Sequence, residues 1–116
     1  MMTFDEKAGK LQLAKTLLEW KKRLEKKHEC AIICDRDSKA EHFLALLEKC
    51  EKSLKEVRAL VEPAIYELEE REPLMGQVLE LKYLYGLSAE DISDVLVMSE
   101  RWIYALQKDG IEALNL

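Results

Sequence analysis

The stretch Leu87-Ser88-Ala89-Glu90-Asp91-Ile92-Ser93-Asp94-Val95-Leu96-Val97-Met98-Ser99-Glu100-Arg101-Trp102-Ile103-Tyr104 decides how this chain is read. Two short helices that cross steeply around a small core need apolar residues at fixed places in both helices and in the turn between them. Ile92, Leu96, Met98, Ile103 and, just beyond the stretch, Leu106 stand at those places. Ser88 and Ser99 each precede one of the two helical patterns, where a serine hydroxyl can accept from a free backbone N–H. Glu90 and Asp91 fall in the first turn of the earlier helix, where the helix dipole favours negative charge. The pattern predicts a helix-turn-helix.

Upstream of it, Glu72-Pro73 suits a helix start, because proline at the first turn loses no hydrogen bond. Leu74, Val78, Leu81 and Leu84/Tyr85 share one face of that helix, and Gly86 is its expected stop. Further upstream, Leu13, Leu17, Trp20, Leu24, Lys27, Ala31 and Cys34 are spaced alternately four and three apart, a heptad stripe that predicts a helix over residues 5–34. Asp35-Arg36-Asp37-Ser38 breaks it, and Ser38 with Glu41 has the form of a capping box. A second, longer stripe follows through Ala40, Phe43, Leu47, Cys50, Leu54, Val57, Val61, Ala64 and Leu68. Two such helices joined by a short polar loop predict an antiparallel, coiled-coil-like hairpin, with apolar surface to spare for a partner or a second copy. Pro63 is expected to kink or break the second helix. The expected fold is all-α: a hairpin over residues 1–71, then a three-helix helix-turn-helix unit over 72–116.

The chain has 116 residues, 48% hydrophobic and 35% charged, with 4 glycines and 2 prolines, a composition that favours helices. No apolar run reaches the ~20 residues of a membrane span. The N-terminus Met1-Met2-Thr3-Phe4-Asp5-Glu6 lacks a signal peptide's basic and apolar segments. A cytoplasmic location is expected, with Cys30, Cys34 and Cys50 as reduced thiols. The net charge is −5. Residues 1–71 balance their charges; residues 72–116 hold only Lys82, Arg101 and Lys108 against eight acids. The acidic excess therefore lies in the part whose motif suggests nucleic-acid binding, opposite to what phosphates attract.

Val78-Leu79-Glu80-Leu81-Lys82-Tyr83-Leu84-Tyr85-Gly86-Leu87-Ser88 resembles the helix and turn that precede the reading unit in region 4 of sigma-70-type factors, and the resemblance extends over residues 73–116. The hairpin followed by this unit is also similar in layout to a family of small phage- and prophage-encoded proteins of low-GC Gram-positive bacteria, regarded as transcription regulators on the strength of the same motif. The resemblance implies double-stranded DNA as a partner and the last helix as the reading helix, with Ser99, Glu100, Arg101, Trp102, Tyr104 and Lys108 as its DNA-binding residues. Arg101 can grip guanine with two hydrogen bonds or pair with a phosphate, and Lys108 suits a phosphate. Tyr104 can donate to a phosphate or pack on a thymine methyl; Ser99 and the helix start can bind a backbone phosphate. Trp102 is either a stacking contact or an anchor between two copies. The resemblance also implies that the hairpin joins two copies in a homodimer or touches a partner such as RNA polymerase.

The chain departs from the family at Ser93, where a small apolar residue is usual, and at Val97, where the turn usually carries glycine. Either Val97 takes a left-handed backbone, at about 1 kcal/mol or more, or the turn is rebuilt. Ala105 and Asp109 stand where relatives are often basic. Gly110 is expected to weaken the end of the last helix by roughly 1 kcal/mol.

The competing reading is a protein-interaction adaptor whose degenerate helix-turn-helix no longer binds DNA, and the acidic C-terminal third favours it. Lys21-Lys22-Arg23 with Lys26-Lys27 forms a basic cluster, but interleaved Glu25 and Glu29 make a solvated, salt-bridged face the simpler reading. His28, Cys30, Cys34, His42 and Cys50 match no zinc-knuckle spacing, and Cys34 and Cys50 fall on the apolar stripes, so no metal or other cofactor is expected. No phosphate-cradling glycine loop or nucleophile–histidine pairing is present, and no enzymatic activity is expected.

Overall fold

The computed structural model describes residues 1–34 and 37–116. Every element these residues form is a helix, with no strand among them. Helix α1, Phe4–Ile33, starts at Thr3, whose side chain accepts from the Glu6 N–H. It ends at Cys34, whose N–H donates to Cys30 O at 3.0 Å. Helix α2 runs Asp37–Arg71, so Ser38 lies inside it rather than ahead of it. Of the loop expected over residues 35–38, residues 35–36 lie outside the described residues, and 37–38 already belong to α2.

The two long helices pack antiparallel. Leu17 and Leu24 of α1 meet Phe43, Leu47 and Cys50 of α2 near one end. Leu11 and Ala14 join a core with Val61, Ala64, Ile65 and Leu68 near the other. The second stripe is buried or half-buried at every expected position. The first is corrected in part. Leu17, Leu24 and Ala31 face α2, but Leu13, Trp20, Lys27 and Cys34 are exposed, and Lys7, Leu11 and Ala14 take the inner positions instead. A long helix has several near-equivalent 3–4 stripes, and the partner surface chooses among them.

Pro63 does not break α2, which is assigned as helix straight through it. Proline at 63 can form no hydrogen bond to the carbonyl of Ala59, but Pro63 and Ala59 are both exposed, so water can satisfy that carbonyl. The neighbours Val61 and Ile65 are fully buried and hold the helix on course.

Helix α3, Pro73–Leu79, has its proline in the first turn as expected. It then widens into a π-helical segment, Glu80–Leu84, closed by Tyr85 N–H to Glu80 O at 3.2 Å and Leu87 N–H to Leu81 O at 3.0 Å. The wider turn rotates the buried face. Val78, Leu79, Tyr83 and Leu84 are inside, whereas Leu74 and Tyr85, expected to share the inner face, are exposed. Gly86 follows at φ +75°, the left-handed stop.

Helices α4, Ala89–Leu96, and α5, Glu100–Ala113, complete the chain. Ile92, Ile103 and Leu106 close on Val78 of α3 with Ala89, and half-buried Leu96 and Met98 pack against them. All five apolar positions that define the motif meet in that one cluster. The surplus length of the second stripe is covered by the protein's own C-terminal helices: Leu79, Tyr83, Leu84, Ile111 and Leu114 share a core with Val61, Ala64, Ile65 and Leu68. Gly110, expected to weaken the end of α5, has a packing role there. It is buried, and a Cβ there would stand 3.3 Å from the Leu79 side chain, so it marks the close approach of α5 to α3. The last carbonyls of α5 are capped from afar: Lys7 Nζ donates to Glu112 O at 3.2 Å and Arg71 Nη2 to Ala113 O at 2.9 Å.

Candidate nucleic-acid interface

The turn between α4 and α5 keeps the left-handed geometry that glycine usually serves. Val97 sits at φ 53°, ψ 52° and is 88% exposed. Its N–H donates to Ser93 O, and so does the N–H of Met98, at 3.0 Å. The Ser93 hydroxyl donates to the carbonyl of Met98 across the turn. Val97 and Ser93 thus act together: one strains the turn and the other ties it. The turn is not rebuilt.

Both serine caps form. Ser88 Oγ accepts from Asp91 N–H at 3.1 Å, and Ser99 Oγ from Trp102 N–H at 3.3 Å. With Ile103, Leu106, Gly110 and Ile111 turned inward, the outer side of α5 carries Glu100, Arg101, Trp102, Tyr104, Ala105, Lys108 and Asp109, all exposed. Each of the six residues singled out in sequence, from Ser99 to Lys108, is on the surface. Arg101, Tyr104 and Lys108 are three and four apart and form one row. Ser99, Arg101, Trp102 and Ala105 line a shallow hollow beside it.

Lys82 joins this surface unforeseen. Its Nζ donates to Gln107 Oε1 at 2.7 Å and lies 5.6 Å from the centre of the Tyr104 ring and 5.8 Å from that of Tyr83. Gln107 Nε2 in turn donates to the Tyr83 hydroxyl at 3.0 Å. Burial, with the charge of Lys15 adding to it, holds the Lys82 ammonium below the usual lysine range. Burial also pushes the Tyr83 phenol up. No local spacing marks Lys82, because its partner lies 25 residues further along the chain.

The surface is donor-rich but not strongly positive. Arg101 and Lys108 form no ion pair among the described residues, and they stand among exposed Glu90, Asp91, Asp94, Glu100 and Asp109. Cys50, on the hairpin, donates its thiol to Leu17 O at 3.3 Å, and burial, then the charge of Glu51, push that thiol up. No cluster of three or more metal-ligating side chains occurs among the described residues. None of the helices is long and apolar enough to cross a membrane. Comparison with protein-family models, curated proteins and solved structures gives no match.

Proposed function

We propose that the protein is a DNA-binding transcription regulator of phage or prophage type, its C-terminal unit working as a sigma-region-4-like helix-turn-helix with α5 as reading helix. The observation that carries this is the exposed Arg101–Tyr104–Lys108 row on a serine-capped helix that follows a tight left-handed turn. Arg101 grips guanine or a phosphate, Glu100 accepts from a cytosine amino group, and Tyr104 and Lys108 hold the backbone. Trp102 stacks on the nucleic acid or anchors a second copy. The hairpin engages a second copy or a protein such as RNA polymerase, and a second copy doubles the number of cations brought to the duplex.

A second reading, the protein-interaction adaptor, draws on the acids on α4 and α5 and on the exposure of two large apolar side chains, Trp102 at 61% and Val97 at 88%. Titration of the protein with labelled duplexes from its own genomic neighbourhood, at rising salt, separates the two. Binding at low salt that weakens steeply as salt rises supports the regulator. Absence of binding at low salt leaves the adaptor. Arg101→Ala is expected to weaken binding about tenfold or more and to relax base preference at one position.

A further inference from the structure

Resting on the DNA-binding reading, we infer that helix α1 is part of the nucleic-acid interface: Lys15 and Lys22, with Lys82 between α1 and α5, form one cationic strip beside the Arg101–Tyr104–Lys108 row, and a duplex held by α5 continues along it through its phosphates.

The strip follows from how α1 lies against the π-helical segment. Leu18 Cδ2 is 3.4 Å, and Lys22 Nζ 3.9 Å, from where a Cβ on Gly86 would stand, so Lys22 hangs over the turn that leads into α4. Lys15, seven residues earlier, lies on the same face of α1, and its charge adds to burial in holding the Lys82 ammonium down. Lys82 in turn reaches Tyr104, the centre of the exposed row on α5. The cations missing from the C-terminal third are thus supplied by another helix.

Three other basic side chains of α1 are occupied differently. Lys21 pairs with Glu25 at 4.0 Å and faces Glu51, Arg58 and Glu62 of α2. Arg23 lies over the Trp20 ring at 5.8 Å, and Lys27 over the Phe43 ring at 5.9 Å. Lys15 and Lys22 form no ion pair among the described residues. The five-cation cluster in the sequence is therefore not the relevant set; Lys22 belongs to the strip, and Lys15 lies outside the cluster altogether. Glu90 and Asp91, exposed in the first turn of α4, are the acids nearest in sequence to the turn under Lys22, and they set a limit on how closely a phosphate approaches there.

Each phosphate contact contributes close to one unit to the slope of log affinity against log salt. The test measures binding of a duplex pool across salt for the full chain and three variants. Lys15→Gln with Lys22→Gln is expected to flatten the slope by about two and to weaken all sequences alike. Lys22→Gln alone, at an exposed position that folding tolerates, is expected to flatten it by about one. Lys21→Gln with Arg23→Gln makes the same change in charge on the two flanks of that face, one residue either side of Lys22, and is expected to leave the slope as in the unaltered protein. Equal flattening by both pairs, or an unchanged slope in the Lys15/Lys22 pair, overturns the strip while the DNA-binding reading stands. If the unaltered protein binds no duplex, the reading and the strip fall together. If binding survives Arg101→Ala but weakens in the Lys15/Lys22 pair, the strip stands and α5 is not the reading helix.

Discussion

Val97 holds a backbone conformation that a β-branched side chain resists, and it gains nothing in return from packing, since it is almost wholly exposed. Val97→Gly relieves that strain at the cost of a more flexible unfolded chain. A net gain of about 1 kcal/mol is expected, read as a rise of a few degrees in the melting temperature. A fall in stability would mean that the valine makes a contact the strain argument ignores. Ser93 is the counterpart. Ser93→Ala removes the hydroxyl that ties Met98 O, and a loss of about 1 kcal/mol is expected in the same melt. Glu69 gives the molecule a pH dependence. Its Oε1 is buried without a partner, and burial, then the hydrogen bond and charge of Glu80, push its carboxyl up to about 7. A carboxyl whose pKa is raised on folding stabilises the folded state fully below its unfolded value and loses that contribution as pH rises through the folded one. Stability is therefore expected to fall between about pH 4.5 and 7 on this account, and Glu69→Gln to remove that part of the fall. Identical pH profiles for the two proteins in denaturant melts would refute the assignment.

Helix α3 shows what a residue pattern can and cannot announce about an element. Pro73 and Gly86 mark its ends in the sequence, since each is the residue type that its backbone position demands. The π-helical widening over Glu80–Leu84 leaves no such mark, and it moves Tyr83 inward and Tyr85 outward against a regular helical count. The same limit applied to α1. Its stripe in the sequence placed Trp20 inside, and only the facing surface of α2 decides that Leu11 and Ala14 take that role. The candidate site was legible where it is local: both serine caps, the five core positions and the outward row of α5. Lys82, Lys15 and Lys22 were not legible as a group, because two elements far apart in the chain, α1 and the π-helical segment, bring them together. Gly76 records a contact of another kind, where α3 touches α2. A Cβ on Gly76 would come within 2.6 Å of the Glu69 backbone, which cannot give way as a side chain can. Gly76→Ala is expected to destabilise by about 3 kcal/mol or more, despite alanine's better helix propensity. A neutral outcome in a denaturant melt would show that α3 can lift from α2 at little cost.

At the scale of the whole molecule, the boundary drawn in sequence between residues 71 and 72 runs through the largest core. Leu11 and Ala14 of α1, Val61, Ile65 and Leu68 of α2, and Leu79, Ile111 and Leu114 of the C-terminal helices share it. Met2 N–H also donates to Leu116 O at 3.0 Å, joining the two ends of the described chain. The far end of the hairpin is different: among the described residues it is held by a smaller cluster, Leu24, Leu47 and Cys50 with Leu17 and Phe43. That projecting end explains a radius of gyration of 16.6 Å, against about 13 Å for a compact chain of this length. A shared core couples the halves, so the hairpin and the C-terminal unit are expected to unfold together. The two tryptophans report on them separately: Trp102→Phe leaves Trp20 on α1, and Trp20→Phe leaves Trp102 on α5. Their fluorescence transitions in denaturant are expected to coincide. Leu11→Ala, a cavity in α1, is expected to cost about 3 kcal/mol and to shift both transitions equally. If the Trp102 transition stays in place while the Trp20 transition moves, the C-terminal unit stands without α1, and α1 then serves it as a surface rather than as part of its core.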